Sequence, residues 1–164
     1  MSIASSDLQS LPCACSTLRQ ATRAVSRHYE ACLAPTGATT TQYSILRYLQ
    51  DEGTTPLRRI ADTLELERTS LYRAIAPLER DGLVVLRVDR DDARVKLAKL
   101  TRRGVAKIRE IRPHWLRAQE SFVAAVGAVK WNTVAKRLEG LRKSMAQDPL
   151  VHAQLRGATL EAER

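Results

Sequence analysis

Residues 56–100 read PLRRIADTLELERTSLYRAIAPLERDGLVVLRVDRDDARVKLAKL, and the punctuation of this stretch decides the fold. Leu57, Ile60, Ala61 and Leu64 recur at helical spacing and predict a short helix. Thr55-Pro56 offers it a hydroxyl N-cap and a proline at the first helical position, where the missing N–H costs nothing. Glu65-Leu66-Glu67 is a short connection to a second helix, Arg68 to Asp81, with Leu71, Ala74, Ile75 and Leu78 facing inward and Gly82 as its stop. Pro77 is expected to bend that helix or loosen its last turns. Val84, Leu86 and Val88 alternate with Val85 and Arg87 as a half-buried strand. Asp89-Arg90-Asp91-Asp92-Ala93 is a charged turn, and Arg94 to Leu100 returns as the paired strand with Val95 and Leu97 as its apolar side. A short helix, a tight turn, a second helix and a two-stranded wing form a layout that frees the second helix's first side chains for the major groove of DNA.

Those side chains are Arg68, Thr69, Ser70, Tyr72 and Arg73. Hydroxyl and guanidinium groups suit both base edges and phosphate oxygens, and a helix N-terminus favours a phosphate. Arg87, Arg90 and Arg94 on the wing are candidates for the adjacent minor groove, whose negative potential draws arginine. The charge has the matching sign: 27 Lys+Arg against 18 Asp+Glu give +9 and a pI near 10.0. It is unevenly spread. The first 56 residues balance at four and four, residues 57–103 carry twelve basic and eight acidic groups, and residues 104–147 carry nine and three. A ribosomal or membrane-surface protein has a similar balance, so charge supports the DNA reading without deciding it.

The flanks are helical. Residues 1–11 read as a loose arm. From Pro12 to Leu33 an apolar stripe of Cys15, Leu18, Thr22, Val25, Tyr29, Cys32 and Leu33 predicts a helix, with Pro12 in its first turn and Arg19, Arg23 and Arg27 as a solvated opposite face. Ala34-Pro35-Thr36-Gly37 breaks it. Thr39 and Gln42 form a capping box for the next helix, through Tyr43, Ile45, Leu46 and Leu49, closed by Asp51-Glu52-Gly53. After the wing, Thr101 caps a long helix through Val105, Ile108, Ile111, Trp115 and Phe122, in which Pro113 predicts a kink or two pieces. Gly127-Ala128 interrupts, and Trp131, Val134, Leu138, Leu141 and Met145 mark a last amphipathic helix. The fold expected is mainly α with a small β-wing. It comprises an arm (1–11), an N-terminal dimerisation helix (12–36), a winged helix-turn-helix (37–101), C-terminal dimerisation helices (102–147) and a tail (148–164). The outer helices hold more apolar surface than a 45-residue reader covers, which predicts a homodimer addressing two half-sites.

The segment Leu57–Gly104 resembles the winged helix-turn-helix of the MarR family of bacterial transcription regulators. The likeness is carried by RTSLYRAIAPLERDGLV, by Asp89, Asp92 and Arg94 of the wing, and by Leu100-Thr101 and Gly104, and it extends over roughly residues 12–147. It implies a homodimer with interlocked terminal helices, wings straddling a pseudo-palindromic operator in double-stranded DNA, and repression relieved by a small ligand or by thiol oxidation. By the same resemblance the helix from Arg68 reads bases and the tip arginines enter the minor groove. One position departs: Asp91 stands where the family usually has arginine, leaving Arg90 and Arg94 as the tip candidates.

Three signals are open. Cys15, with Cys13 beside it, falls where the hydroperoxide-sensing branch that this chain resembles has its oxidised thiol, fourteen residues before Tyr29; Arg19 and Thr40 stand where that branch has tyrosines. Arg19, one helical turn away, favours the thiolate of Cys15, whereas a buried cysteine on the apolar stripe would be a small hydrophobe. A small phenolic ligand between the dimer helices and the reader would meet Tyr29, Tyr43, Arg47, His114 and Trp115, each of which also has an ordinary core or rim role. A soft metal is a third signal, but Cys13 and Cys15 give only two ligands, and Cys32 lies about 28 Å away along a continuous helix. No metal site or cofactor is expected.

No run of about eighteen apolar residues occurs, so no membrane span or membrane partner is expected. The first residues lack a basic and an apolar region, and three cysteines form an odd set, which points to reduced thiols in the cytoplasm. No phosphate loop, metal spacing or nucleophile–base set supports an enzyme. The rival to a DNA reader is a non-catalytic basic module gripping an acidic protein.

Overall fold

The computed structural model describes residues 9–148, so most of the expected arm and tail lies outside the described residues. The chain forms two compact units, up to Gln119 and from Glu120.

In the first unit, α1 spans Ala14–Leu33 and is capped by the backbone of Cys13, so Pro12 stands ahead of the cap and not in the first turn. Of the apolar stripe expected on α1 only Leu33 is buried, while Cys15, Leu18 and Val25 are exposed. A single 3-10 turn, Ala34–Thr36, ends in Gly37 at φ 67, a left-handed conformation that suits glycine. Helix α2, Thr40–Glu52, has both halves of its capping box: the Thr39 hydroxyl accepts from Gln42 N–H at 3.2 Å, and the Gln42 side chain accepts from Thr39 N–H at 2.9 Å. Glu30 of α1 adds a carboxylate to the same positive helix end, accepting from the N–H and hydroxyl of Thr40 at 3.0 and 2.6 Å.

Thr55 does not cap a helix. Thr55–Pro56 is a short strand, β1, paired antiparallel with β3 (Lys96–Leu100), Thr55 opposite Ala98. Pairing buries Thr55 and turns its hydroxyl to the Gly53 carbonyl at 3.2 Å, so the cap position of α3 (Leu57–Thr63) passes to Pro56. The wing is thus a three-stranded sheet, β1-β3-β2, with β2 at Val84–Val88. Helix α4, Arg68–Arg80, continues through Pro77 and does not fray there; Leu71, Ile75 and Leu78 are buried, and Gly82 follows at φ 67.

The inner face of the wing also differs from expectation. Val84 pairs with Leu100 and Leu86 with Ala98, and Val84 and Ala98 are buried. Leu97 pairs with Arg87 on the opposite face, and Val95 precedes the strand, so neither forms its buried side. Val88 is 55% exposed. The cause is the tip: Val95 N–H donates to Asp92 and Asp89 N–H to Val95, both at 2.9 Å, which closes the turn and delays β3 to Lys96.

Helix α5, Arg102–Val126, starts one residue after β3. The Thr101 hydroxyl accepts from Gly104 N–H at 3.0 Å and faces the Gly82 and Leu83 carbonyls at 2.8 and 3.1 Å. Helix α5 is one piece through Pro113, so the two-piece alternative does not hold. Its Ile108 and Ile111 join the core that Leu46, Leu49, Ile60, Leu71 and Ile75 form beneath the sheet.

The second unit holds the end of α5, a break at Gly127 with φ 89, and α6, Ala128–Ala146. Phe122 and Trp131 meet edge to face at 4.9 Å. No residue of α6 is buried, and Val134, Leu138, Leu141 and Met145 are exposed. Arg142 and Lys143 beside Glu139 hold its carboxyl down at about 2, the hydrogen bond from Arg142 being the largest cause. Among the described residues no helix is long and apolar enough to cross a membrane.

Candidate nucleic-acid interface

Helix α4 presents Arg68, Thr69, Ser70 and Arg73 to solvent, and Tyr72 is half-buried beside them. These positions follow from the buried stripe: with Leu71, Ile75 and Leu78 inward, Arg68, Thr69, Ser70 and Arg73 turn outward. The N-cap, Glu67, makes no side-chain bond to the first turn, so the leading N–H groups of α4 keep their affinity for an anion.

Tyr72 links this helix to the wing. The Arg68 guanidinium lies 5.7 Å and the Lys96 ammonium 5.9 Å from its ring centroid, both within cation–π range. Around them α3, α4 and the wing enclose a cleft of about 640 Å³, with Leu57 and Leu71 on its floor and Arg58, Arg68, Arg94 and Lys96 along it. Lys96 and Arg58 escaped the sequence reading. Lys96 carries no local signal, because it opens β3 and meets Tyr72 only when that strand lies beside α4.

The wing arginines divide. Arg87 and Arg90 are exposed and make no ion pair among the described residues. Arg94 is committed to Asp92: Nε donates to Oδ1 at 3.0 Å, Nη2 to Oδ2 at 3.1 Å, and its own N–H to Oδ1 at 3.0 Å. These bonds hold the Asp92 carboxyl below the ordinary carboxylate range. Asp89 accepts from the N–H groups of Asp91 and Asp92 at 2.8 and 3.2 Å, a side-chain turn that uses the backbone of Asp91.

A second, smaller cleft of about 240 Å³ is lined by Tyr29, Tyr43 and Trp115 together with Val25, Ser26, Thr40 and Ser44. Arg47 and His114 do not line it. Arg47 reaches toward Asp51 at 3.9 Å, and its buried Nε has no partner. His114 Nδ1 lies 3.2 Å from the Cys32 carbonyl and 2.8 Å from Arg117; one nitrogen cannot donate to the first and accept from the second at once, so the tautomer selects the bond. Within the cleft the Tyr43 hydroxyl is buried without a partner, whereas the Tyr29 hydroxyl donates to Gln119. Burial, with Cys32 adding to it, pushes the Tyr29 phenol above its ordinary value. Cys13 and Cys15 are exposed and Cys32 is half-buried. No group of three or more His, Cys, Asp or Glu placed to hold a metal occurs among the described residues.

Residues 36–95 match the model of the MarR family. The HTH-type transcriptional regulator MhqR of Bacillus subtilis is 27% identical over 96 residues, 58% of this chain and 66% of MhqR. The uncharacterized HTH-type transcriptional regulator YwoH of the same organism is 30% identical over 107 residues, 65% of this chain and 77% of YwoH. The transcriptional regulator MosR of M. tuberculosis, solved in complex with DNA, superposes with a TM-score of 0.73 at 32% identity, over 82% of this chain and 97% of MosR. The mainly helical chain with its small antiparallel wing therefore belongs to the MarR family of transcriptional regulators.

Proposed function

We propose that the protein is a homodimeric DNA-binding regulator that represses from a pseudo-palindromic operator. The observation that carries this reading is the cation-lined cleft, which joins the exposed start of α4 to the base of the wing. Thr69, Ser70 and Arg73 are the base readers, Arg68 a phosphate or base contact, and Arg87 and Arg90 the wing's reach into the minor groove. MosR, a relative of similar fold, was solved on DNA, which supports the same partner here. The dimer rests on apolar side chains that a single chain leaves open: Leu18 and Val25 of α1, and Val134, Leu138, Leu141 and Met145 of α6.

Release is proposed to run through Cys15, with Cys13 as its neighbour. Both thiols are exposed and neither is packed in the core of the single chain, which supports a reactive role. The small-ligand alternative uses the Tyr29–Tyr43–Trp115 cleft; at about 240 Å³ it falls below the usual range for drug-sized ligands and suits a one-ring phenol paired with the free Tyr43 hydroxyl.

A binding selection on fragmented genomic DNA, repeated with hydroperoxide and with phenols, tests the reading. One enriched two-fold sequence motif is expected, with binding that falls steeply as salt rises. Equal retention of all fragments would refute sequence-specific regulation. Cys15→Ser should bind the selected motif yet ignore hydroperoxide; release of that variant by the oxidant would exclude Cys15 as the switch.

A further inference from the structure

We propose that the cleft between α3, α4 and the wing seats a backbone phosphate of the bound duplex on Arg68 and Lys96, with Tyr72 as the positioning residue for both. The inference rests on the DNA-binding reading above and names where one phosphate docks and what builds its seat.

Four cations line the cleft, and two of them are already answered. Arg58 faces Asp62, the one acid in the lining, at 3.9 Å, and Arg94 is held by Asp92. Arg68 and Lys96 make no ion pair among the described residues, yet both stand within 6 Å of the same ring centroid. Both also line the cleft, so an anion bound there meets positive charge from α4 and from the wing together. Phosphate is the anion this chemistry favours: guanidinium supplies a fork for two oxygens, and ammonium a compact point charge.

The ring explains how the two cations come together. Arg68 opens α4 and Lys96 opens β3, on elements that the chain reaches through separate turns. Tyr72 lies one helical turn after Arg68 and is half-buried, with Leu71 beside it in the core. Its ring is thus a fixed surface against which a flexible arginine and a flexible lysine are both steadied. This assigns Tyr72 to positioning and not to base reading. The cleft's volume of about 640 Å³ leaves room for a sugar–phosphate segment, not just a lone ion.

The test measures binding of the full chain to a mixed-sequence 30-bp duplex by fluorescence anisotropy across a salt series. Lys96→Ala should lower the slope of log affinity against log salt by about 1 for each half-site engaged. Lys96→Arg should keep the slope. Tyr72→Phe, which retains the ring, should match the parent, whereas Tyr72→Leu should lose as much slope as Lys96→Ala, with an unchanged unfolding midpoint. Combining Lys96→Ala with Tyr72→Leu should add little further loss. A Lys96→Ala slope equal to the parent's would overturn the seat while leaving DNA binding in place. A parent protein that binds no duplex would instead overturn the DNA reading itself, and the seat with it. Inorganic phosphate should displace the duplex better than chloride at equal ionic strength, and Lys96→Ala should remove that difference. Stronger displacement together with an unchanged Lys96→Ala slope would assign the cleft to free phosphate and overturn the duplex assignment.

Discussion

Two helical glycines, Gly104 and Gly140, should answer the same substitution with opposite signs. At Gly104 in α5 a Cβ would meet the Leu83 carbonyl oxygen at 2.2 Å and Leu100 Cδ1 at 2.6 Å. Ordinary contact begins near 3.4 Å, so the new methyl must retreat by about 1.2 Å from a backbone atom. The Leu83 carbonyl cannot yield freely, because the Thr101 N–H and hydroxyl both reach it, at 3.1 Å each. Overpacking of this kind costs roughly 1–3 kcal/mol, and a disturbed hydrogen bond adds about 1. Alanine returns about 1 kcal/mol of helix propensity. Gly104→Ala should therefore destabilise by roughly 2 kcal/mol, lowering Tm by about 4–8 °C for a chain of this size. Gly140 in α6 has nothing within 4 Å of its Cβ position. At 3.6 residues per turn it points away from the Leu138–Leu141–Met145 stripe, so self-association does not crowd it. Gly140→Ala should stabilise by about 0.5–1 kcal/mol. Urea and thermal unfolding followed by circular dichroism decide the matter. A Gly104→Ala protein as stable as the parent would show that the wing root is looser than its contacts indicate.

Thr101→Val keeps the shape of the side chain but removes the cap of α5 and the bond to the Gly82 and Leu83 carbonyls, and should lower stability by about 1–2 kcal/mol; Thr101→Ser should restore most of it in urea titrations. Glu139 is depressed from 4.5 to about 2, so its ion pairs support α6 fully above pH 4.5 and are lost as pH falls toward 2. Backbone NMR shifts of α6 should follow that window, and Glu139→Gln should abolish the dependence; an α6 indifferent to acid in the parent would contradict the assignment. Leu138→Glu with Leu141→Glu places charge on the exposed stripe of α6 and should turn a dimer into a monomer by light scattering at low micromolar concentration. An unchanged mass would remove that face from the dimer interface.

What could be read from sequence depended on how local the cause was. The Thr39–Gln42 box and the Thr101 cap each involve residues three apart, and both stand as expected. Thr55 has the same local credentials, but its backbone is claimed by Ala98, more than forty residues on, and no local rule anticipates that. Between Arg94 and Leu100 the larger Val95 and Leu97 carry the apolar signal, whereas the buried position belongs to Ala98, whose small side chain adds little to the period. The exposed residues of α4 were legible because the buried ones were. Lys96 was not: its partnership with Tyr72 exists only once the wing folds back beside the helix. The apolar stripe of α1 shows the opposite case, a helical period visible in the chain whose cover the single chain does not supply.

The single residue between β3 and α5 has a mechanical consequence. Leu100 ends the strand, Arg102 begins the helix, and Thr101 between them is bonded to the Gly82 and Leu83 carbonyls, where α4 gives way to β2. No slack linker separates the long helix from the wing. A tilt of α5 must be delivered to the wing as a lever delivers it, undiminished at the fulcrum, and what gives way is the tip beyond Val88, where the strand pairing ends.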